Sequence, residues 1–244
     1  MRGWVAVYLR ELLIIKHRLW RLLLSFAISP TLYLIAFGLG IGRDVQVGER
    51  PYLEFLIPGL VAMSSMVQGF GINVEINVAR FYLKVFEEFQ AAPIGPLAYV
   101  LGEVATGVTR SLMSVAIILL IAVPAGVGLS LGVFFWLAVV LNSTIFAALG
   151  VASAMLIKSH ADQALVTNFI ITPMAFLGGT FFPLENMPHV VQFFLKLLPL
   201  THASAAIRQV ALGGAPLLES YYILTALCLA SLALAYWSVD KARD

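Results

Sequence analysis

Three ionisable residues, Glu75, Glu103 and Arg110, stand inside long apolar stretches of this 244-residue sequence. An unpaired charge near the centre of a bilayer costs roughly 2.5–3.5 kcal/mol on insertion scales, so such groups demand partners or water. Arg110 follows Glu103 by two helical turns on the same face, and Glu75 comes from the preceding apolar stretch at a similar depth, so the spacing permits one cluster. Two chemistries fit it: a structural ion-pair network, or a polar route for protons or substrate. No other spacing marks a catalytic or metal centre. The four histidines are scattered, and Glu185 with His189 is an ordinary helical separation. Cys228 is the single cysteine, which leaves no intrachain disulfide and no Cys-based metal set. His202 is expected to bond a nearby backbone carbonyl. No G-x-x-x-x-G-K-[ST] phosphate loop occurs, so the chain is not expected to hydrolyse ATP or to bind a cofactor itself.

The elements that position these residues follow from composition. Hydrophobic residues make up 61% of the chain and charged residues 11%, with a mean hydropathy of +0.94, against about 25% charged residues in a soluble domain. Most of the outer surface must therefore face lipid, where helices or closed barrels alone satisfy the backbone, and the long, non-alternating apolar runs select helices. The net charge of +2 and the lack of a dense basic patch with interleaved aromatics give no reason to expect a nucleic-acid partner. The expected fold is all-α: a polytopic membrane protein with six transmembrane helices in a single transmembrane domain covering 1–244. The spans are expected at 22–41, 55–78, 97–123, 131–157, 164–182 and 216–237, the fifth kinked by Pro173 and Gly178-Gly179, with a polar tail over 238–244.

Three segments do not span. Residues 1–21 read as an interfacial helix, with Arg10, His17, Arg18 and Arg21 on one face and Val5, Tyr8, Leu12, Ile15 and Leu19 on the other, although Lys16 interrupts the apolar face. The basic N-terminus lacks an obvious cleavage site, so it is expected to be a retained anchor. Residues 79–92 read as a second short amphipathic helix, Arg80, Lys84, Glu87 and Glu88 against Tyr82, Val85, Phe86 and Phe89, stopped by Pro93, Gly95 and Pro96. Residues 183–214 are apolar but cut by Pro183, Pro188, Pro199 and Gly213-Gly214 into two pieces too short to span, a re-entrant hairpin in which Thr201 is placed to cap the second piece. With both termini inside, ten Lys and Arg fall on cytoplasmic segments (Arg2, Arg10, Lys16, Arg18, Arg21, Arg80, Lys84, Lys158, Lys241, Arg243) and four outside (Arg43, Arg50, Lys196, Arg208). The excess orients 79–92 to the cytoplasm and the hairpin to the exterior.

The run GGTFFPLENMPHVVQFFLKLLPLTHASAAIRQVALGG, Gly178 through Gly214, resembles the C-terminal signature of type-2 ABC export permeases, the group that includes nodulation-factor, polysaccharide and daunorubicin exporters. The matching elements are Phe182-Pro183 with Met187-Pro188, then Pro199-Leu200-Thr201-His202, then Arg208 and the closing glycines. The stretch from Arg80 to Pro93 is similar to the same family's cytoplasmic segment. The resemblance implies a membrane-spanning subunit of an ATP-driven exporter in a bacterial or archaeal cytoplasmic membrane. ATP and Mg would be bound by a separate ATP-binding subunit, two copies of which would work with two permease copies or one copy and a homologue. It implies that Arg80, Phe81, Lys84, Phe86, Glu87, Glu88 and Phe89 couple to the ATPase within the segment 79–96. It further implies that Phe181, Phe182, Pro183, Pro188, Phe193, Phe194, Pro199, His202 and Arg208 form an outer gate or substrate path for an amphiphile, either a lipid-linked glycan or polysaccharide or a hydrophobic drug. The rivals are an ATP-independent channel or secondary carrier, which would break its helices at the midplane, and a non-transporting membrane scaffold.

Overall fold

The computed structural model describes residues 3–42, 45–48 and 50–242; Arg2, Arg43 and Arg243, used above for orientation, lie outside the described residues. Helices α1 (Gly3–His17) and α2 (Leu19–Tyr33) meet at Arg18, whose backbone leaves the helical region (φ −109°, ψ 10°), so the N-terminal amphipathic helix stops at His17. The helix α2 carries Pro30 inside it and continues as a π-helix over Leu34–Ile41. A two-residue antiparallel ladder follows, β1 (Gln46–Val47) with β2 (Arg50–Pro51), Gln46 opposite Pro51. Next come α3 (Tyr52–Phe70), α4 (Ile72–Asn77) and a π-helical tail over Val78–Tyr82. The remaining helices are α5 (Val85–Ala91), α6 (Pro96–Ala122), α7 (Val133–Leu156), α8 (His160–Val166), α9 (Thr172–Leu177), α10 (His189–Leu195), α11 (Pro199–Ala211) and α12 (Leu218–Lys241).

Helix α3 lies at the heart of the bundle. Leu56, Ile57, Leu60, Val61 and Met66 are fully buried, and α6, α7 and α11 pack around it. Lipid offers no hydrophobic reward for pressing two apolar helices together, so small residues and interhelical hydrogen bonds carry the association. The α3–α6–α7 crossing is built that way. Asn142 donates to the Ala62 carbonyl at 3.0 Å and to Ser65 Oγ at 2.8 Å, and Ser111 donates to the Ser65 carbonyl at 2.8 Å. A Cβ at Gly69 would lie 2.9 Å from the Ser143 carbonyl oxygen, so the closest approach requires glycine.

Cross-links between elements define two ends. At one, Asn77 donates to the Ile157 carbonyl (3.1 Å) and Arg80 to that of Met155 (2.7 Å). The start of α1 sits here too, with Gly3 beside Ile94 and Ala98, as does Val239 of α12 beside Phe86 and Phe89. At the other end the Tyr52 hydroxyl donates to the Phe181 carbonyl (2.8 Å) and Ser130 N–H to that of Ala211 (2.8 Å). The described chain therefore passes back and forth between the two ends, with Gly3 and Val239 both at the α5 end. Five of these passes are helices long and apolar enough to cross a membrane: Leu19–Gly38, Tyr52–Tyr82, Pro96–Ala122, Val133–Leu156 and Leu218–Lys241.

The expected fifth span at 164–182 is not among them. It starts earlier, at His160, and is helical to Leu177 in three pieces, α8, a π turn over Thr167–Ile171 and α9. His160, Asp162, Gln163 and Asn168 dilute its hydropathy. Pro173 has no N–H to offer the preceding turn, and just before it the Thr172 N–H and hydroxyl (3.1 Å) both donate to the Thr167 carbonyl. The last helix runs past the expected end of its span at 237 and stays helical to Lys241.

Candidate functional site

At the α5 end, two of the three intramembrane charges come together. Arg110 pairs with Glu75 at 2.5 Å, their side chains 9% and 36% exposed, and the guanidinium lies over the Phe26 ring, 5.9 Å from its centroid. Glu103 does not join that pair. Only 4% exposed, it is hydrogen-bonded with Tyr99 and faces a cavity of about 350 Å³ that it shares with Glu75 and with Arg10, Glu11 and Arg18 of the N-terminal segment. Glu11 was missed at the sequence level. The helix α1 buries the stripe Val7–Glu11–Ile15, a quarter-turn from the apolar face expected from Val5, Tyr8, Leu12, Ile15 and Leu19, because Gly102 of α6 lets Val7 approach its backbone closely. Tyr8 adds a hydrogen bond to Thr109 at 2.8 Å. Burial pushes the Glu11 carboxyl up, against the pull of its ion-pair partner Arg10. The legible signal was the i, i+4 spacing of Val7, Glu11 and Ile15.

The coupling segment departs from a single amphipathic helix. Lys84 adopts a left-handed conformation (φ 54°, ψ 20°) that ends the π tail of α4 and starts the two-turn α5. Phe86 and Phe89 face inward, edge-on to Tyr99 at 5.4 and 5.3 Å between ring centroids. Lys84, Glu87 and Glu88 are exposed. Arg80 is turned into the bundle rather than sharing that open face, stacked over Phe81 (4.8 Å) and Phe86 (5.2 Å). Tyr82 leaves the apolar face altogether, exposed and stacked on His160 at 5.0 Å.

At the opposite end α10 and α11 meet at 92°, with Pro188 immediately before α10 and Pro199 opening α11. Gly179 and Gly213 bound the hairpin with left-handed backbones (φ +77° and +81°), conformations that a side chain would strain. Thr201 is no cap: the N-cap position falls on Leu198, and Thr201 Oγ1 is buried without a hydrogen-bond partner. The two pieces are seven and thirteen residues long, each too short to span. Apart from the three prolines, the residues assigned to the gate divide into two groups. Phe181 is fully buried among Tyr33, Phe37 and Phe176, His202 donates to the Lys196 carbonyl at 2.8 Å, and Arg208 holds the carbonyls of Phe55 (3.2 Å) and Gly179 (2.6 Å) while lying 3.7 Å over the Phe55 ring. Phe182, Phe193 and Phe194 are exposed. Between the ends, a groove of about 210 Å³ between α2, α3 and the broken helix is lined by Ser25, Ser29, Ser64, Gln68, Ser114 and Thr172 alongside Phe26, Tyr33 and Phe176.

Helices of membrane-crossing length, joined at mid-depth by small residues and differing in chemistry at their two ends, define a polytopic all-α integral membrane protein. Residues 3–212 match the family described as ABC-2 type transporter, and the chain belongs to that family. It is 28% identical to the inner membrane transport permease YadH of Escherichia coli (strain K12) over 98% of this chain and 96% of that protein. It is 30% identical to nodulation protein J of Rhizobium leguminosarum bv. trifolii and 31% to that of Neorhizobium galegae, each over 93% of this chain and 87% of the relative. Family membership makes it a component of membrane transport.

Proposed function

We propose that this chain is the membrane-spanning permease subunit of an ATP-driven exporter, with ATP hydrolysed by a separate subunit and a second permease copy or homologue completing the path. The observation that carries this reading is the separation of chemistries along the bundle. Lys84, Glu87 and Glu88 stand exposed on a short helix riveted by Phe86 and Phe89 at the end where both termini lie, while the proline-cut hairpin covers the opposite end. The Lys and Arg excess supports a cytoplasmic α5 end, and in this reading the chain crosses six times, the broken helix His160–Leu177 being the fifth crossing, with both termini on that side. One relative, the inner membrane transport permease YadH of Escherichia coli, supports a cytoplasmic-membrane location.

The cargo is an amphiphile, a lipid-linked glycan or polysaccharide or a hydrophobic drug. The mid-depth groove supports this by mixing hydroxyls and aromatic rings, and Ser114 Oγ is buried there without a partner. Bare hydroxyls facing lipid gain nothing, whereas a polar path uses them. The test is reconstitution with the ATPase subunit. Lys84→Glu combined with Glu88→Lys should leave assembly of the permease intact and lower substrate-stimulated ATP hydrolysis on the order of tenfold. Unchanged stimulation, or failure of any ATPase to co-purify with the wild-type chain, would remove the reading.

A further inference from the structure

The cavity at the α5 end carries both signs of charge. Arg18 lines it from the α1–α2 junction and is exposed; among the described residues it has no carboxylate partner, since the ion pairs there are Arg10–Glu11, Arg50–Glu54 and Arg110–Glu75. Glu103 lines the same cavity, buried, with a tyrosine hydroxyl for company but no cation of its own within ion-pair distance. Arg10, Glu11, Glu75 and Thr106 also line it, Arg10 paired with Glu11 and Glu75 with Arg110, and the rest of the wall is apolar, Ile72 and Val74 among it. A simple anion would meet Glu11, Glu75 and Glu103. A simple organic cation would satisfy Glu103 and leave Arg18 idle. A metal ion is disfavoured, because no three acidic, histidine or cysteine groups among the described residues converge closely enough to hold one. The complementary ligand bears an anion and, one short link away, a hydrogen-bonding cation.

The depth of the cavity narrows the source. The helix from Tyr52 to Tyr82 has 31 residues, about 46 Å at the ~1.5 Å rise of an α-helix, against a hydrocarbon core of about 30 Å. Centred in a bilayer, it overhangs the core by about 8 Å at each end. Glu75 lies about 10 Å before Tyr82, at the boundary between acyl chains and headgroups. We propose that this cavity holds the headgroup of an aminophospholipid, its phosphate on Arg18 and its primary ammonium on Glu103 and Glu11, as a resident lipid that ties the α1–α2 junction to α4 and α6. The volume of about 350 Å³ is at the small end of ligand cavities and matches a headgroup rather than a whole lipid. The assignment stands independently of cargo and of the ATPase.

The experiment is native mass spectrometry of the purified full chain exchanged into micelles that contain equal amounts of phosphatidylethanolamine, phosphatidylcholine and phosphatidylglycerol, with free phosphoethanolamine added in a second arm. The wild type should retain phosphatidylethanolamine on the order of tenfold over the other two, since a charge-assisted hydrogen bond that the quaternary amine cannot donate is lost in one and the cation is lost in the other. Glu103→Gln and Glu11→Gln should each abolish the preference, and Arg18→Gln should lower retention of all three lipids alike, with the thermal midpoint in lipid-free detergent unchanged within a few degrees. Lys158→Gln, a basic residue at the same end but outside the cavity, should keep it. Equal retention of phosphatidylglycerol, a preference that survives Glu103→Gln combined with Glu11→Gln, or retention unchanged in Arg18→Gln overturns the proposal. Binding of free phosphoethanolamine without any lipid preference overturns the lipid as its source.

Discussion

Arg208 shows how one side chain links the hairpin to the bundle. Its guanidinium bonds the Phe55 carbonyl of α3 and the Gly179 carbonyl at the elbow, and it covers the Phe55 ring. Three segments distant in sequence thus share one planar, permanently charged group. Gly59 makes room for it, because a Cβ there would lie 3.0 Å from Thr180 Cα and 3.1 Å from Arg208 Nη2. Two hydrogen bonds from a charged donor and a cation–π contact together stabilise by about 2–4 kcal/mol. Arg208→Gln should therefore lower the thermal midpoint in detergent by roughly 4–16 °C. Arg208→Lys should not restore it, since an ammonium cannot reach both carbonyls while lying flat on the ring. A midpoint that stays put in Arg208→Gln would show that the hairpin is held by its apolar face alone. At this scale the sequence told which residue types mattered but not their partners: Glu75, Glu103 and Arg110 were evident as charges in apolar runs, whereas the choice of Glu75 over Glu103 as the partner of Arg110 depends on how α4 is rotated against α6, which no periodicity within either helix encodes.

Among the elements, α5 is the one whose structure depends most on its surroundings. A helix of seven residues is too short to persist in water by itself, and it begins with a non-glycine residue in the left-handed region, which costs roughly 1–2 kcal/mol. Its order comes from Phe86 and Phe89 seated on Tyr99, and from Arg10 and Arg80 laid across the two rings. Phe86→Ala should therefore free α5 without melting the bundle. Amides over Val85–Ala91 should exchange faster by on the order of a hundredfold, the consequence of losing about 3 kcal/mol of local packing, while those of α3 keep their protection. Equal acceleration in α3 would mean that α5 unfolds only with the whole protein. Reading 79–92 as one helix caught the amphipathic character of Val85–Ala91. It placed Arg80 and Tyr82 on the wrong faces because a left-handed residue at Lys84 resets the helical phase, and a lysine carries no sequence mark of that conformation. The hairpin was easier to read, since Pro183, Pro188, Pro199 and the closing glycines each act on the backbone locally.

At the scale of the whole molecule, the alternation of apolar runs with charged or proline-cut connections made most passes legible, because a bilayer forces each crossing helix to be about 20 residues long. The fifth pass is the exception that its own polar residues explain: His160, Asp162, Gln163 and Asn168 lower its hydropathy below that of its neighbours, and its membership in the bundle is visible only because Ile157 and Phe181 are bonded to opposite ends of the long helix that starts at Tyr52. That observation makes the fifth pass decisive for orientation. If it crosses the bilayer, Glu88 and Glu185 face opposite compartments; if it rests on one surface, they face the same one. Cys228 is buried in α12, so a Cys228→Ala background is expected to fold with a small loss of packing, and single cysteines can be placed at will. In inverted vesicles, which expose the cytoplasmic face, a membrane-impermeant maleimide should label Glu88→Cys and not Glu185→Cys. In right-side-out cells the pattern should reverse. Labelling of both positions from one side would deny the crossing, separate the termini onto opposite faces of the membrane, and leave α5 and the hairpin without the trans-bilayer relation that an exporter's coupling surface and outer gate require.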